Sequence, residues 1–508
     1  MPVRESTHQD RDQTMLLAIG FFVIILGLLA YLDTKKPKNY PPGPSWLPII
    51  GSAHTIAEWR KKAGYLYKAT AEMAEKYGPV IGLRVGKDLI VVVYGKNQIR
   101  EFLASDDLAG RPTGAFFDMR TWGERRGVLL TDSDFWQEQR RFILRQLREF
   151  GFGRKNMSSM IEEETAIMVE SYQKMLAGKK SVTLNMESAF NIHILNTLWM
   201  MMAGIRYSPE DKNLKSLQDI LGRLFSTVDM VGAPFSQFPI LRFIAPEISG
   251  YKLYLETHLQ IWEFLYDELK RHKETWDENN LRDFMDVYLK MLNSPERKES
   301  FCEKQLLAIC LDMFMAGSET TSKSLGFCFL NLIMYPDVQK KAQQEIDAVV
   351  GRNRLPSLED RPQMPYMECV VLEALRMFSG RAFTVPHRAF KDTHLNGYII
   401  PKDAMVIANM HGTLMGPESG VEDPEIFKPE RYLKDGKITL ADTYLPFGFG
   451  KHRCLGETLA RANVFLFTAS LLQHFNFSIV PGSPPTTECI DGVTPGPLPF
   501  KALVTPRE

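Results

Sequence analysis

No two of the six cysteines, at positions 302, 310, 328, 369, 454 and 489, stand at C-x-x-C spacing. That argues against a disulfide framework and for a reducing compartment. Excess charge is absent too. Lys and Arg number 61 and Asp and Glu 61, a zero balance that speaks against a nucleic-acid binder. After residue 50 there is no Ser/Gly linker, charge block or internal repeat, so residues 51–508 read as one large domain. No G-x-G-x-x-G follows a predicted strand, so the chain lacks a flavin or nicotinamide fingerprint, and electrons for redox chemistry must come from a partner. What remains is ordinary core material, with 44% hydrophobic and 24% charged residues.

Charge also vanishes locally. Met15 to Leu32 holds eighteen residues without one charged side chain, enough for a short membrane helix. Lys35, Lys36 and Lys38 follow at once, whereas Arg4 and Arg11 stand among acids. Residues 1–14 are therefore expected in the lumen, and the chain after the anchor (15–32) in the cytosol. A cleaved signal peptide is the alternative, but the run is long and no A-x-A site follows. Residues 33–50 hold Pro41-Pro42-Gly43-Pro44-Ser45-Trp46-Leu47-Pro48, whose prolines fix φ and remove donors. They predict a stiff, extended spacer, with an SH3-type ligand as the competing reading.

Residues 79–95 read as a β-hairpin rich in branched side chains. Phe135 to Phe150 reads as a helix with Trp136 and Arg140 four apart on one face, and with Arg141, Arg145 and Arg148 as a basic flank. Val228 to Ile248 sets Phe235, Phe238, Ile240, Leu241, Phe243 and Ile244 among three prolines, more apolar surface than a loop exposes to water. Leu306 to Met334 is a long, almost continuously apolar helix, hence central. It is interrupted by Ala316-Gly317-Ser318-Glu319-Thr320-Thr321. Burying an acid and two hydroxyls is costly. Small residues let a flat ligand lie against the helix, and a hydroxyl beside a carboxylate can relay protons.

The stretch Phe447-Gly448-Phe449-Gly450-Lys451-His452-Arg453-Cys454-Leu455-Gly456-Glu457 packs three glycines and one cysteine ahead of a helical pattern, Thr458 to Phe475. The glycines let the backbone pass close to something flat or bulky. A cysteine before a helix has its thiolate stabilised by the positive helix end and free N–H groups, as a metal ligand requires. Lys451, His452 and Arg453 add positive charge suited to acidic groups of a ligand. A buried cysteine in a tight turn is the plainer alternative.

Taken together these features resemble the cytochrome P450 family, in the order anchor, P-P-G-P, W-x-x-x-R, A-G-x-E-T-T, E-x-x-R, P-E-R and F-x-x-G-x-R-x-C-x-G. The resemblance implies a mainly α fold with small β-sheets and an N-terminal transmembrane helix. It implies haem b with Cys454 as iron ligand, in a loop carrying Phe447, Gly450 and Gly456. Trp136, Arg140 and His387 would hold the propionates, and Ala316 and Gly317 would lie against the ring. Glu319 and Thr320 would deliver protons. Glu373, Arg376 and Arg431 would brace the cysteine loop, and Val228 to Ile248 would form a membrane-dipping lid over the substrate channel. His452 stands where the family has arginine, with Arg453 beside it, and Ala382 stands where many relatives have proline.

Phe150-Gly151-Phe152-Gly153-Arg154 and Pro386-His387-Arg388 are similar to insect members of the clan that includes the vertebrate drug- and steroid-oxidising families. The implied activity is a monooxygenase of the endoplasmic reticulum membrane that inserts one atom of O2 into a lipophilic hormone precursor, steroid, terpenoid or foreign compound. Electrons would come from an NADPH-dependent flavoprotein reductase, with cytochrome b5 as a second donor. A haem-thiolate isomerase or dehydratase and a non-catalytic haem sensor are the rivals. The retained acid–threonine pair speaks against both.

Overall fold

The computed structural model describes residues 6–149 and 155–507, so the Phe150–Arg154 element lies outside the described residues. One helix sets the architecture. Glu303–Met334 runs for 32 residues, about 48 Å at the α-helical rise, and is buried on almost every side because its apolar residues follow no single stripe. Proline stops it. Tyr335 leaves the helical conformation ahead of Pro336, which opens the next helix where its missing N–H costs nothing. Helices Asn191–Ala203, Tyr251–Thr275, Pro365–Ser379 and Glu457–His474 pack around this central helix.

The sheets are small and lie to one side. In the largest, Val80–Val85 runs antiparallel to Asp88–Val93, which pairs in parallel with Met405–Ala408, which takes His387–Arg388 antiparallel. The expected hairpin is thus present. Its turn residue Gly86 has φ +57°, and a Cβ there would fall 2.5 Å from the Gln237 carbonyl oxygen, so the position requires glycine twice over.

The first helix spans Ser6–Asp33, starting inside the polar tail, and its stretch Gln13–Asp33 is long and apolar enough to cross a membrane while burying nothing against the protein. Asp33 ends it in the grip of Arg84, whose Nη1 and Nη2 donate at 2.9 and 2.8 Å. The proline-rich segment is extended, as expected, but docked rather than free. Tyr40 and Trp46 are buried, the Tyr40 hydroxyl donates to the Leu83 carbonyl at 3.1 Å, and the Gly82 amide donates to the Pro42 carbonyl at 2.8 Å. A Cβ on Gly43 would fall 2.1 Å from the Gly82 oxygen, so glycine is what lets the segment lie on the sheet.

The 228–248 segment divides. Phe235 is fully buried, whereas Phe243 and Ile248 are 81% and 92% exposed, and Ile240 and Ile244 share their side. Exposed Leu47 and Ile49 add apolar surface beyond the first helix.

Candidate functional site

The cysteine loop folds back on itself through the Cys454 amide, which donates to the Phe447 carbonyl at 3.0 Å, and the Arg453 amide, which donates to Gly450 at 3.2 Å. Gly450 takes φ +71°, and a Cβ there would fall 2.2 Å from the Leu103 carbonyl oxygen, so no other residue fits. Gly456 leads directly into the helix Glu457–His474. Cys454 keeps accessible surface, yet protein encloses its thiol closely enough that burial pushes its pKa up. The Gly456 and Glu457 amides and the Arg140 charge pull the other way without prevailing. The helix-end amides and the neighbouring arginine thus favour the thiolate, as expected, against a larger opposing effect of burial, and a bound metal cation would favour it further.

Beside the loop, cations and imidazoles converge. The buried Trp136 ring lies 4.3 Å from that of His452, and the Arg140 guanidinium lies 5.5 Å over Trp136 while donating to the Arg453 carbonyl at 2.7 Å. The one-face pairing over Ser133–Glu149 is therefore as expected. His452 Nε2 donates to the Ala109 carbonyl at 2.8 Å, and His387 Nδ1 donates to Leu108 at 2.8 Å with the two rings 5.0 Å apart. Burial, followed by the charge of Arg111, pushes His452 down to about 3 and His387 well below the usual histidine range. Both rings are neutral.

Arg111 escaped the sequence reading. It lies in an irregular stretch with no periodicity to mark it. Its side chain is buried in the same cluster, with Nη1 donating to the Val385 and Pro386 carbonyls at 3.2 and 3.0 Å and Nε left without a partner. Burial pushes it down to about 9 despite nearby Asp132. A buried guanidinium with a spare donor, next to Arg140 and two neutral imidazoles, is short of an anion. Carboxylates such as haem propionates match that deficit.

Arg453 does not join the cluster. Its Nε and Nη2 donate to Glu457 at 2.7 and 2.9 Å on the surface, and Lys451 likewise pairs with Asp106 at 2.6 Å. His452 alone fills the arginine position. Ala382 accepts from the Met410 amide at 3.1 Å, so the backbone there is held without proline.

On the central helix Ala316 is exposed and Thr320 half-buried amid buried neighbours, so this face borders an internal space. Gly317, half-buried beside Ala316, also packs against the helix Asn191–Ala203: a Cβ on it would fall 2.5 Å from Leu198 Cδ2, the end of a side chain. Thr320 Oγ1 donates to the Ala316 carbonyl at 2.8 Å, which leaves its lone pairs free to accept. Glu319 is buried near Gly222, its Oε2 has no partner, and burial pushes its pKa up, which favours the protonated form.

The Cytochrome P450 family model matches residues 41–504. The chain belongs to the cytochrome P450 family. The family binds haem b through a cysteine thiolate, and the thiol, the anion-deficient edge and the open Ala316 face fit that group. Similar proteins include the "Probable cytochrome P450 303a1" of Drosophila melanogaster, 43% identical over 96% of this chain and 99% of the relative. The "Farnesoate epoxidase" of Bombyx mori is 35% identical over 96% and 99%. "Cytochrome P450 2J3" of Rattus norvegicus is 32% identical over 96% and 95%.

In this P450 the three expected bracing residues meet. Arg376 donates Nε and Nη2 to the two Glu373 oxygens at 2.8 Å each, and Arg431 Nε donates to Glu373 at 3.0 Å. Beside the start of the 228–248 segment lies a largely apolar cavity of about 230 Å³, lined by Ile56, Leu83, Val231 and Phe383. Arg60 lines one side, held at 2.9 Å from both Asp229 of that segment and Asp491.

Proposed function

We propose that this P450 is a monooxygenase of a lipophilic small molecule with Cys454 as the ligand of its haem iron. The observation that carries this reading is the accessible Cys454 thiol beside a buried cluster, Arg111, Arg140, His387 and His452, that is short of an anion. When bound, haem supplies the activation of O2 that leads to C–H hydroxylation or C=C epoxidation. Arg111 and Arg140 would hold its carboxylates, with Trp136 and His452 stacked behind them. Thr320 would accept and pass protons at Oγ1, and Glu319, whose pKa burial raises, would serve as a proton reservoir one residue away. The isomerase alternative has no need of this pair.

Electrons would come from an NADPH-dependent flavoprotein reductase, with cytochrome b5 as a second donor. The exposed Arg141 and Arg148 would offer positive charge to an acidic partner, whereas Arg145, Lys451 and Arg453 are paired with Glu149, Asp106 and Glu457. The first helix would anchor the chain in the endoplasmic reticulum membrane with residues 51–508 in the cytosol. The relative named for the epoxidation of farnesoate supports a lipophilic substrate.

Two results test this. Thr320→Ala should keep haem and substrate binding but lower the product formed per NADPH and raise released hydrogen peroxide. A general-acid group contributes about 10²–10⁴-fold and water replaces part of it, so coupling falls while activity persists. A ratio equal to wild type would make Thr320 a packing residue. Removing residues 1–32 should release part of the protein from microsomes with haem content unchanged, because the first helix buries nothing against the domain. Incomplete release is expected from Phe243 and Ile248. Loss of all haem would make the helix part of the fold instead.

A further inference from the structure

Asp33 ends the first helix, and the domain that follows grips it on several sides. Arg84 Nη1 donates to its main-chain carbonyl at 2.6 Å as well as to its carboxylate, and Arg84 Nη2 completes the fork. The Ile49 amide donates to the same carboxylate at 2.7 Å. Arg84 is itself buried, lies 5.0 Å over the Trp46 ring and donates Nη2 to the Leu47 carbonyl at 3.1 Å. A buried, bidentate arginine keeps little freedom, so the joint between helix and domain is stiff.

The turn that meets Asp33 is strained. Ile49 takes φ +67°, a region that a β-branched side chain almost never enters. Such strain persists only where the surroundings impose it. Here Asp33 holds the Ile49 amide, and the Ile50 amide donates to the Pro48 carbonyl at 2.7 Å. Gly51, at φ +64°, exchanges two backbone bonds with Leu47 at 2.9 Å each. The outcome is an outward-facing pair, with Ile49 74% and Leu47 47% exposed. In water this arrangement is unfavourable twice, in strain and in exposed apolar area.

We propose that the turn 47–51 is a second lipid contact, docked at the acyl boundary of the leaflet that takes the end of the first helix. Depth argues for a bilayer as the occupant. Asp33 is the first charge after the uncharged run 15–32, and exposed Lys35 and Lys38 follow, so this end of the helix lies among headgroups. The Ile49 amide is bonded to Asp33 and so fixed at that depth. There Leu47 and Ile49 leave water for the acyl chains. Asp33 and Arg84 position the turn, and anchor and domain enter the bilayer as one body. The inference rests on the proposed membrane anchor and on nothing in the reaction.

The test is photocrosslinking of the full-length, haem-loaded protein in phosphatidylcholine nanodiscs whose acyl chains carry a diazirine. Adducts are mapped by mass spectrometry. The wild type is expected to carry them within 15–32 and on Leu47 or Ile49. Asp33→Asn, which breaks the charged grip of Arg84, should keep the first set and lower the second severalfold. Ile49→Asn tests the strain. Asparagine enters the left-handed region readily, so on heating this variant should lose haem at the wild-type temperature or above it. Adducts within 15–32 but none on Leu47 or Ile49 would overturn the proposal and leave the anchor standing. Adducts in neither place would remove anchor and proposal together. Unchanged labelling in Asp33→Asn would overturn the positioning by Asp33. An Ile49→Asn protein that loses haem well below the wild-type temperature would make Ile49 a packing residue and overturn its role toward lipid.

Discussion

Cys454→Ser is expected to abolish the red-shifted Soret band of the reduced, CO-bound protein. Serine preserves the loop, since the Cys454 amide bond to Phe447 is a backbone contact and the helix from Glu457 starts regardless. What it removes is the only group at that place able to become a soft, anionic ligand. An alcohol does not ionise where even the thiol is pushed up by burial. No other cysteine can stand in. Cys310 and Cys328 are buried in the central helix, Cys369 is buried in the helix Pro365–Ser379, and Cys489 is buried in a short strand paired with Gly496–Pro497, all outside the glycine-rich loop. Cys302 lies 3.2 Å from Arg126 Nη1, at the far end of that helix from Thr320. An unchanged band in the variant would move the ligand elsewhere.

The second large effect is on folding. Glu373→Ala should cost roughly 3–5 kcal/mol, the usual penalty for leaving a buried ion partner alone. Glu373 and Arg376 are both fully buried. Besides its two arginines, the carboxylate accepts the Tyr432 hydroxyl at 2.8 Å and the Lys428 amide at 3.0 Å. Burial alone would raise the pKa of Glu373, but the bonds and charge of Arg376, then Arg431, hold it below the usual range. The stability it contributes is therefore present above the unfolded glutamate pKa and lost as pH falls through the lower folded value. Arg376 also donates to the Leu414 and Pro424 carbonyls at 3.1 and 2.8 Å, tying the helix Pro365–Ser379 to the chain that precedes the cysteine loop. Tyr444 and Pro446, just ahead of Phe447, are bonded to Leu372 and Ser379 of the same helix at 2.8 and 3.1 Å. Loss of haem should accompany loss of stability, read as a lower urea midpoint and a lower haem-to-protein ratio. Glu373→Gln, which keeps part of the geometry, should be milder. A Glu373→Ala protein of wild-type stability would show that the cluster holds nothing together.

Legibility in the sequence followed the range of each interaction. Trp136 with Arg140, and Glu373 with Arg376, are one helical turn apart, so spacing put each pair on one face, while their roles came from the family resemblance. The central helix was readable from its apolar length, and its end from Pro336. Arg111 and the buried Arg120–Asp312 ion pair were not readable, because their partners lie far along the chain and only the fold brings them together. Asp312 was nonetheless a visible acid in an apolar run. Arg453 and Glu457, four apart, could have warned that this arginine was already paired. Gly317 and Ala316 look alike in sequence, and only the fold shows that Gly317 also neighbours Leu198 while Ala316 stays open.

The most direct measurement is turnover under heavy-isotope O2. Full-length protein, NADPH and a flavoprotein reductase would be offered a mixture of long-chain isoprenoid and aliphatic alcohols and esters, with products read by mass spectrometry. The account predicts products that gain one labelled oxygen atom and require NADPH. Products that carry only rearranged oxygen, form without NADPH, or fail to form at all would contradict it.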